Sequence, residues 1–263
     1  MSEGSTVGVA QARLASTVVA VRDGESGVEV WMMRRAMSMA FAPGAMVFPG
    51  GGVDPRDADP SIPWSGGSAE NFADRLGTDT ETARLVVAAA LRELFEETGA
   101  LLIEPMVLQD HEEERRQVES RERSMADLVV ELGGAMNVAP LEPWMRWVTP
   151  DSESRRYDTF FFVAVLPAGI STGSVSSEGD SAGWESAQRV LDDGKAGQCI
   201  VLPPTESVLR AIARAASARE VLEGAALRPL AAIVPAVTID GNGDYVIHAN
   251  DEVFVRPGPG STR

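Results

Sequence analysis

The chain has 263 residues, of which 39 are Asp or Glu and 23 are Lys or Arg, so its formal net charge is -16. Apolar residues make up 44% and charged residues 24%, a balance that is ordinary for globular proteins and excludes disorder over the whole length. A net-acidic surface repels phosphate backbones and anionic lipid heads. We therefore exclude duplex nucleic acid and membrane surfaces as partners, although a local basic pocket could bind a small anion.

Cysteine and histidine are too scarce for a zinc site, because the chain holds only Cys199, His111 and His248. Any metal would be bound mostly by oxygen, which favours a hard ion such as Mg²⁺. The longest apolar stretch, 159–170, contains Pro167 and is shorter than the roughly 20 residues of a membrane-spanning helix. Since neither end carries a targeting pattern, we expect a soluble, cytoplasmic protein.

In chain order, the first predicted elements are β-strands over 15–21 and 28–33, joined by a polar turn. Residues 55–78 contain Pro, Ser, Gly and Asp without periodicity, which predicts a long loop. A helix is then predicted from the capping box at Thr78–Glu81 to Gly99, with an apolar stripe at helical spacing between them.

The second half of the chain mixes predicted helices with predicted strands, which indicates a layered α/β or α+β fold. In chain order these elements are a helix over 110–132, strands over 144–148 and 159–166, a polar loop over 171–183, helices near 184–193 and 204–222, and two strands over 233–239 and 245–249. The charged run inside the first of them is either a partner surface or a solvated helix face.

Three glutamates lie within one turn near the end of the helix that is predicted to stop at Gly99. Glu93, Glu96 and Glu97 have i, i+3, i+4 spacing and share one face, and Arg92 can brace Glu96. Their carboxylates repel one another, and the helix dipole disfavours anions at this end. A divalent cation would relieve the repulsion, so the pattern predicts a metal site; a glutamate-rich surface helix is the alternative.

A glycine-rich segment, Phe48–Gly52, precedes the predicted loop. Its three consecutive glycines allow the backbone to approach a phosphate or to offer a carbonyl to a metal ion. The alternative is an ordinary turn.

Together, the two segments resemble the two halves of the Nudix box, G-x5-E-x7-R-E-U-x-E-E-x-G-U, where U is a bulky apolar residue. Gly51 matches the first glycine, and the second half is matched by Arg92, Glu93, Leu94, Glu96, Glu97 and Gly99. The interval from Gly51 to Arg92 is 41 positions, about 27 more than in the pattern, so the box is split. The first glutamate of the box has no clean match. Asp57 lies at the expected sequence interval from Gly51, and Arg84 lies at the expected interval from Arg92.

A split box resembles the branch of the Nudix family that contains the peroxisomal coenzyme A diphosphatase. Further segments, from 34–51 to 235–254, resemble the same branch. The resemblance implies an α/β fold, an α/β/α sandwich with a mixed β-sheet. It also implies one domain over 12–255, with an insertion at about 55–78, a C-terminal helical and hairpin extension at about 200–255, and flexible tails at 1–11 and 256–263.

The resemblance also implies an activity: Mg²⁺- or Mn²⁺-dependent hydrolysis of a diphosphate that links a nucleoside to another moiety. Coenzyme A or acyl-coenzyme A is the leading substrate. Glu96 and Glu97 would be the principal metal ligands, and the Gly50 carbonyl would be a further one. Glu93 would be a ligand or the general base, and Arg92 would hold the glutamates in place.

Other residues are weaker candidates. Glu178 would supply a catalytic carboxylate from a distant loop, or is an exposed loop residue. Arg35 keeps the spacing of an upstream coenzyme A diphosphatase pattern, whose second arginine is replaced by Ala40. Arg35 and Gly51 are therefore expected to bind substrate. Arg156 would also bind substrate phosphate, or would pair with a nearby acid.

Two rival functions stay open at this point. A degenerate box would give a nucleotide-binding module without catalysis. A catalytic box could act instead on dinucleotides, nucleotide sugars or dinucleoside polyphosphates. The sequence leaves the oligomeric state open, so a homo-oligomer is compatible with it.

Overall fold

The computed structural model describes residues 10–39, 42–107, 111–167, 170, 172 and 179–258. Within these ranges the strands are β1 (Arg13–Gly24), β2 (Gly27–Arg35), β3 (Ala45–Val47), β4 (Gly50–Gly52), β5 (Trp64–Ser65), β6 (Ile103–Glu104), β7 (Ala135–Asn137), β8 (Leu141–Val148), β9 (Tyr157–Val165), β10 (Gly179–Ser186), β11 (Ile200–Val201), β12 (Ala232–Ile233), β13 (Ala236–Ile239), β14 (Tyr245–Ala249) and β15 (Glu252–Arg256). The helices are a 3₁₀ helix (Pro55–Ala58), α1 (Ala69–Leu76), α2 (Thr80–Thr98), α3 (Glu112–Glu119), α4 (Met125–Glu131), α5 (Ala187–Lys195), α6 (Pro203–Ile212) and α7 (Ala218–Ala226).

A mixed central sheet separates two layers of helices. Its main order is β11-β3-β2-β1-β9-β8-β12; β1 pairs in parallel with β9 and antiparallel with β2, while β4 adds to β1 and β10 to β2. Because side chains alternate along a strand, Val18 and Ala20 face α1 to α4, whereas Val19 and Val21 face α5 to α7. The predicted α/β/α sandwich with a mixed sheet is confirmed. No helix in the described ranges is long and apolar enough to cross a membrane.

The long helix α2 forms where the sequence predicts it, but its N-cap is Asp79 and not Thr78, the first residue of the predicted capping box. The Asp79 carboxylate accepts the Thr82 N–H at 2.8 Å. Gly99 ends it in the left-handed conformation, at a φ of 78°, and donates its N–H to Phe95 at 2.8 Å. Most of α2 is buried between the sheet and α1, which fixes the helix that carries the three glutamates.

The insertion is only partly the loop that was predicted over 55–78, because it contains the 3₁₀ helix, β5 and α1. Helix α1 is capped by Ser68 and ends at Gly77, which has a φ of 63°. Its buried residues Phe72 and Leu76 pack into the same core cluster as α2. An eight-residue helix shows too few turns for its periodicity to stand out among glycines and prolines.

Three predicted helices are wrong in their bounds, for a common reason. The helix predicted over 110–132 is broken at Arg121, which has a φ of 64°; residues 179–186 form a strand before α5 begins; and the helix predicted over 204–222 is two helices. In each case a serine accepts a backbone N–H three residues later and starts a new helix, and the three caps are Ser124, Ser186 and Ser217.

The C-terminal extension adds a third strand to the predicted pair. β13, β14 and β15 form an antiparallel sheet. Phe254 packs edge-on against Trp147 with ring centroids 6.4 Å apart, and Arg256 pairs with Glu206 of α6. Arg256, the last residue of β15, is thereby held against α6.

Candidate active site

The guanidinium of Arg92 is the centre of the site, and each of its five N–H groups has an acceptor. Nε and Nη2 donate to the two carboxylate oxygens of Asp57 at 2.8 and 3.0 Å. Nη1 donates to Glu93 at 2.7 Å and to Glu96 at 3.2 Å, and Nη2 also donates to the Gly52 carbonyl at 3.0 Å. Arg92 is 7% exposed, so these charge-assisted bonds form largely away from water. They join the glycine-rich segment to α2 across the insertion.

Asp57 occupies the position of the first acid of the split box. It ends a capping box in which the Asp54 N–H donates to the Asp57 carboxylate at 2.8 Å, and it is 3% exposed. Arg84, the other candidate, instead donates to the backbone carbonyls of Pro60 and Ile62. The sequence signal that favours Asp57 is an Asp-Pro-x-Asp turn, with proline at the first helical position and acids at both capping positions.

The glycines of β4 allow a close approach between the sheet and α2. The Gly50 N–H donates to the Glu97 carboxylate at 3.2 Å. A Cβ at Gly51 would lie 2.5 Å from a carboxylate oxygen of Glu93, and a Cβ at Gly50 would collide with the carbonyl of Ser16. Backbone contact therefore requires glycine at Gly50, whereas a side chain at Gly51 would have to displace the carboxylate of Glu93.

Burial dominates the electrostatics of Glu93 and Glu96. It raises the pKa of Glu93 to about 7, although the nearby Arg92 guanidinium opposes that shift. Burial raises the pKa of Glu96 as well, again against the effect of Arg92. The two carboxylates are thus poorly solvated in the ionised form, a state that a nearby cation would favour.

The donor set fits a hard divalent cation in its chemistry but is not gathered around one point. Within the described residues, no three His, Cys, Asp or Glu side chains converge closely enough to hold a metal ion. Glu93 and Glu96 bind Arg92, and Glu97 binds the Gly50 N–H. The donors are all oxygen atoms on one helix face, which is the chemistry that Mg²⁺ prefers.

A second arginine, which was not predicted, holds the end of α2. Arg115 donates from Nη1 to the Glu96 carbonyl at 2.6 Å and pairs with Glu112 at 2.7 Å and Glu119 at 3.3 Å. It satisfies a carbonyl that the helix leaves without a partner and places positive charge at the negative end of the helix dipole. The sequence signal that could have indicated this role is the spacing of Glu112 and Glu119, which lie three residues before and four residues after Arg115.

The structure describes two of the remaining predicted residues, Arg156 and Arg35. Arg156 donates to the carbonyls of Ala10 at 2.7 Å and Thr149 at 3.0 Å and pairs with Asp151 at 2.5 Å, so it fixes a loop. These contacts agree with the alternative of an ion pair, and the binding of substrate by Arg156 stays a prediction. Arg35 ends β2, next to the strand that leads into β4. Glu178 and Ala40 lie outside the described residues.

Comparisons with known proteins identify the family. The model of the NUDT19 Nudix domain matches residues 68–211. The chain is 25% identical over 224 residues to the acyl-coenzyme A diphosphatase NUDT19 of Xenopus laevis, covering 68% of this chain and 58% of that protein. It is 24% identical over 276 residues to the Homo sapiens protein of the same name, covering 87% and 73%. The chain thus spans less than two thirds of the length of the Xenopus relative.

A solved structure agrees with this assignment. A NUDIX hydrolase from Alicyclobacillus acidocaldarius superposes with a TM-score of 0.67 at 28% sequence identity, covering 84% of this chain and 100% of that one. The fold, the glutamate-bearing helix and the family match agree with one another. The chain belongs to the NUDT19 Nudix domain family of Nudix hydrolases.

Proposed function

We propose that the protein hydrolyses the diphosphate linkage of coenzyme A or acyl-coenzyme A with the help of a divalent metal ion. The proposal rests on the five hydrogen bonds that the Arg92 guanidinium donates. They connect both halves of the split box in spite of the insertion. The substrate class is supported by the name of the relatives, acyl-coenzyme A diphosphatase.

Each side chain of the cluster has a role in this proposal. Glu96 and Glu97, with the Gly50 carbonyl, would hold Mg²⁺ or Mn²⁺, which supplies positive charge against the diphosphate when it is bound. Glu93 is either a third ligand or the general base that accepts a proton from water. Arg92 orients the carboxylates of Glu93 and Glu96 through the hydrogen bonds that it donates to them.

The reaction consumes one water molecule. The water oxygen forms a bond to one phosphorus atom, and the bond from that phosphorus to the bridging oxygen breaks. The bridging oxygen leaves on the other phosphate, and a water proton passes to Glu93 in its role as base. The products are two phosphate monoesters, which for an acyl-coenzyme A are 3′,5′-ADP and an acyl-phosphopantetheine.

The substitution Glu97→Gln tests the proposal because it removes a charge from the ligand set while keeping the shape of the side chain. We expect Mg²⁺-dependent cleavage of coenzyme A to fall by at least about 100-fold, with the fold retained by circular dichroism. Glu81→Gln, an exposed position in the first turn of the same helix, is the matched control and should keep its activity. Full turnover by Glu97→Gln would contradict the ligand assignment.

A substrate panel separates the rival functions. Products of coenzyme A, acyl-coenzyme A, dinucleotides, nucleotide sugars and dinucleoside polyphosphates would be identified by mass spectrometry at low enzyme concentration. Faster cleavage of a compound without pantetheine would assign a different substrate. Binding of nucleotides without turnover of any compound would identify a binding module.

A further inference from the structure

A cavity of about 320 Å³ lies directly beyond the C-terminal end of α2. Its size is at the lower end of the range of small-molecule sites, which is about 300–1,000 Å³. Six apolar residues line most of it, and they are Leu101, Leu102, Ile103, Met106, Pro167 and Ile170. The first three are almost completely buried and form a fixed floor, whereas Met106 is 44% exposed and stands at the rim.

The lining determines which chemical group the cavity can accept. Glu104 and Asn137 are the polar residues among the described lining, which includes no aromatic ring and no cationic side chain. A nucleobase would therefore find no ring on which to stack, and a phosphate would find no cation and would be repelled by Glu104. The lining fits an uncharged apolar group, because burial of apolar surface is its main source of affinity.

The cavity is within reach of a substrate whose diphosphate lies at the glutamates. Leu101 lies four positions after Glu97, so their Cα atoms are at most about 15 Å apart. The pantetheine arm of an acyl-coenzyme A is a flexible chain that can span such a separation between the diphosphate and the thioester. The volume then accommodates a short acyl chain.

We propose that this cavity binds the acyl chain of the substrate and makes the protein selective for short acyl-coenzyme A thioesters over free coenzyme A. The inference rests on the proposed function, because it requires the diphosphate of the same molecule to lie at α2. Selectivity arises because the acyl chain leaves water for the apolar floor formed by Leu101, Leu102 and Ile103, a gain that free coenzyme A cannot make.

The test compares kcat/KM for free, acetyl-, butyryl- and hexanoyl-coenzyme A. A fully buried methylene is worth about fourfold, so in a partly open cavity we expect hexanoyl-coenzyme A to exceed the acetyl thioester by at least about tenfold. Met106→Trp fills the rim and should bring the ratio of hexanoyl- to free coenzyme A close to one. Met106→Ala, which cannot overpack, should lower that ratio about threefold. Leu227→Trp, at a position that is 87% exposed and outside the lining, should leave it unchanged.

The outcomes distinguish this inference from the function on which it rests. Equal kcat/KM for all chain lengths, or a chain-length preference that survives both Met106 variants, would overturn the acyl site and leave the diphosphatase activity standing. Absence of cleavage for every coenzyme A compound would overturn the proposed substrate, and the acyl site with it.

Discussion

A single arginine, Arg92, carries the connection between the two halves of the Nudix box. The sequence identified it through the glutamates that follow it, but the partner acid was ambiguous between the positions of Asp57 and Arg84. Distance along the chain could not decide, because an insertion can lie on either side of the first acid. The capping box that begins at Asp54 and turns Asp57 toward α2 resolves the ambiguity in three dimensions.

The raised pKa of Glu93 predicts how stability depends on pH in the metal-free protein. The folded-state pKa of about 7 exceeds the ordinary value of 4.5, so the folded state binds more protons between these limits. The stabilising contribution is therefore complete below pH 4.5 and is lost as pH rises through about 7. From Glu93 we expect urea unfolding to show a decline of up to about 1 kcal/mol per pH unit in this window, and Glu93→Gln removes this contribution but not that of Glu96, whose pKa burial also raises.

Glu81→Gln, which changes an exposed carboxylate on the same helix, should reproduce the pH dependence of the unsubstituted protein. A Glu93→Gln variant with the same slope as the unsubstituted protein would show that Glu93 titrates normally in the folded state. The account of a desolvated carboxylate at this position would then fail.

Among the elements, α2 was predictable and α1 was not, and the difference is physical. Helix α2 has an acidic N-cap, nineteen residues with apolar positions at helical spacing, and a terminal glycine. These three sequence signals all predict the same helix. Helix α1 has good caps at Ser68 and Gly77, but two turns between glycines and prolines give a weak period. The formation of α1 depends on packing, since the Phe72 ring contacts the rings of Trp64 and Phe162 at centroid distances of 6.1 and 6.3 Å.

Phe72→Ala tests whether the insertion is an integral part of the fold. The ring is 8% exposed and bridges the insertion to the central sheet, so its removal leaves a cavity between two layers. We expect urea unfolding to show a loss of about 3 kcal/mol. Asn71→Ala, at the exposed neighbouring position, should change stability by less than about 0.5 kcal/mol. Equal, small losses for the two variants would mean that the insertion lies loosely on the surface.

For the whole molecule, the layered class followed from the mixture of predicted strands and helices, whereas the strand order did not. The sequence could not show that β10 would pair with β2, or that β11 and β12 would close the two edges of the sheet. Such pairings join residues far apart in the chain and depend on the assembled core. The domain limits at 12 and 255 stay a prediction.

The account depends on one claim, namely that the acids of α2 bind a divalent cation beside the glycines of β4. Anomalous diffraction from crystals of the full chain grown with Mn²⁺ tests it most directly. We predict a peak at metal–oxygen bonding distance from carboxylates of Glu93, Glu96 and Glu97, and no such peak in Glu97→Gln. At saturating Mn²⁺, a peak elsewhere, with these carboxylates still bound to Arg92 and the Gly50 N–H, would contradict the claim.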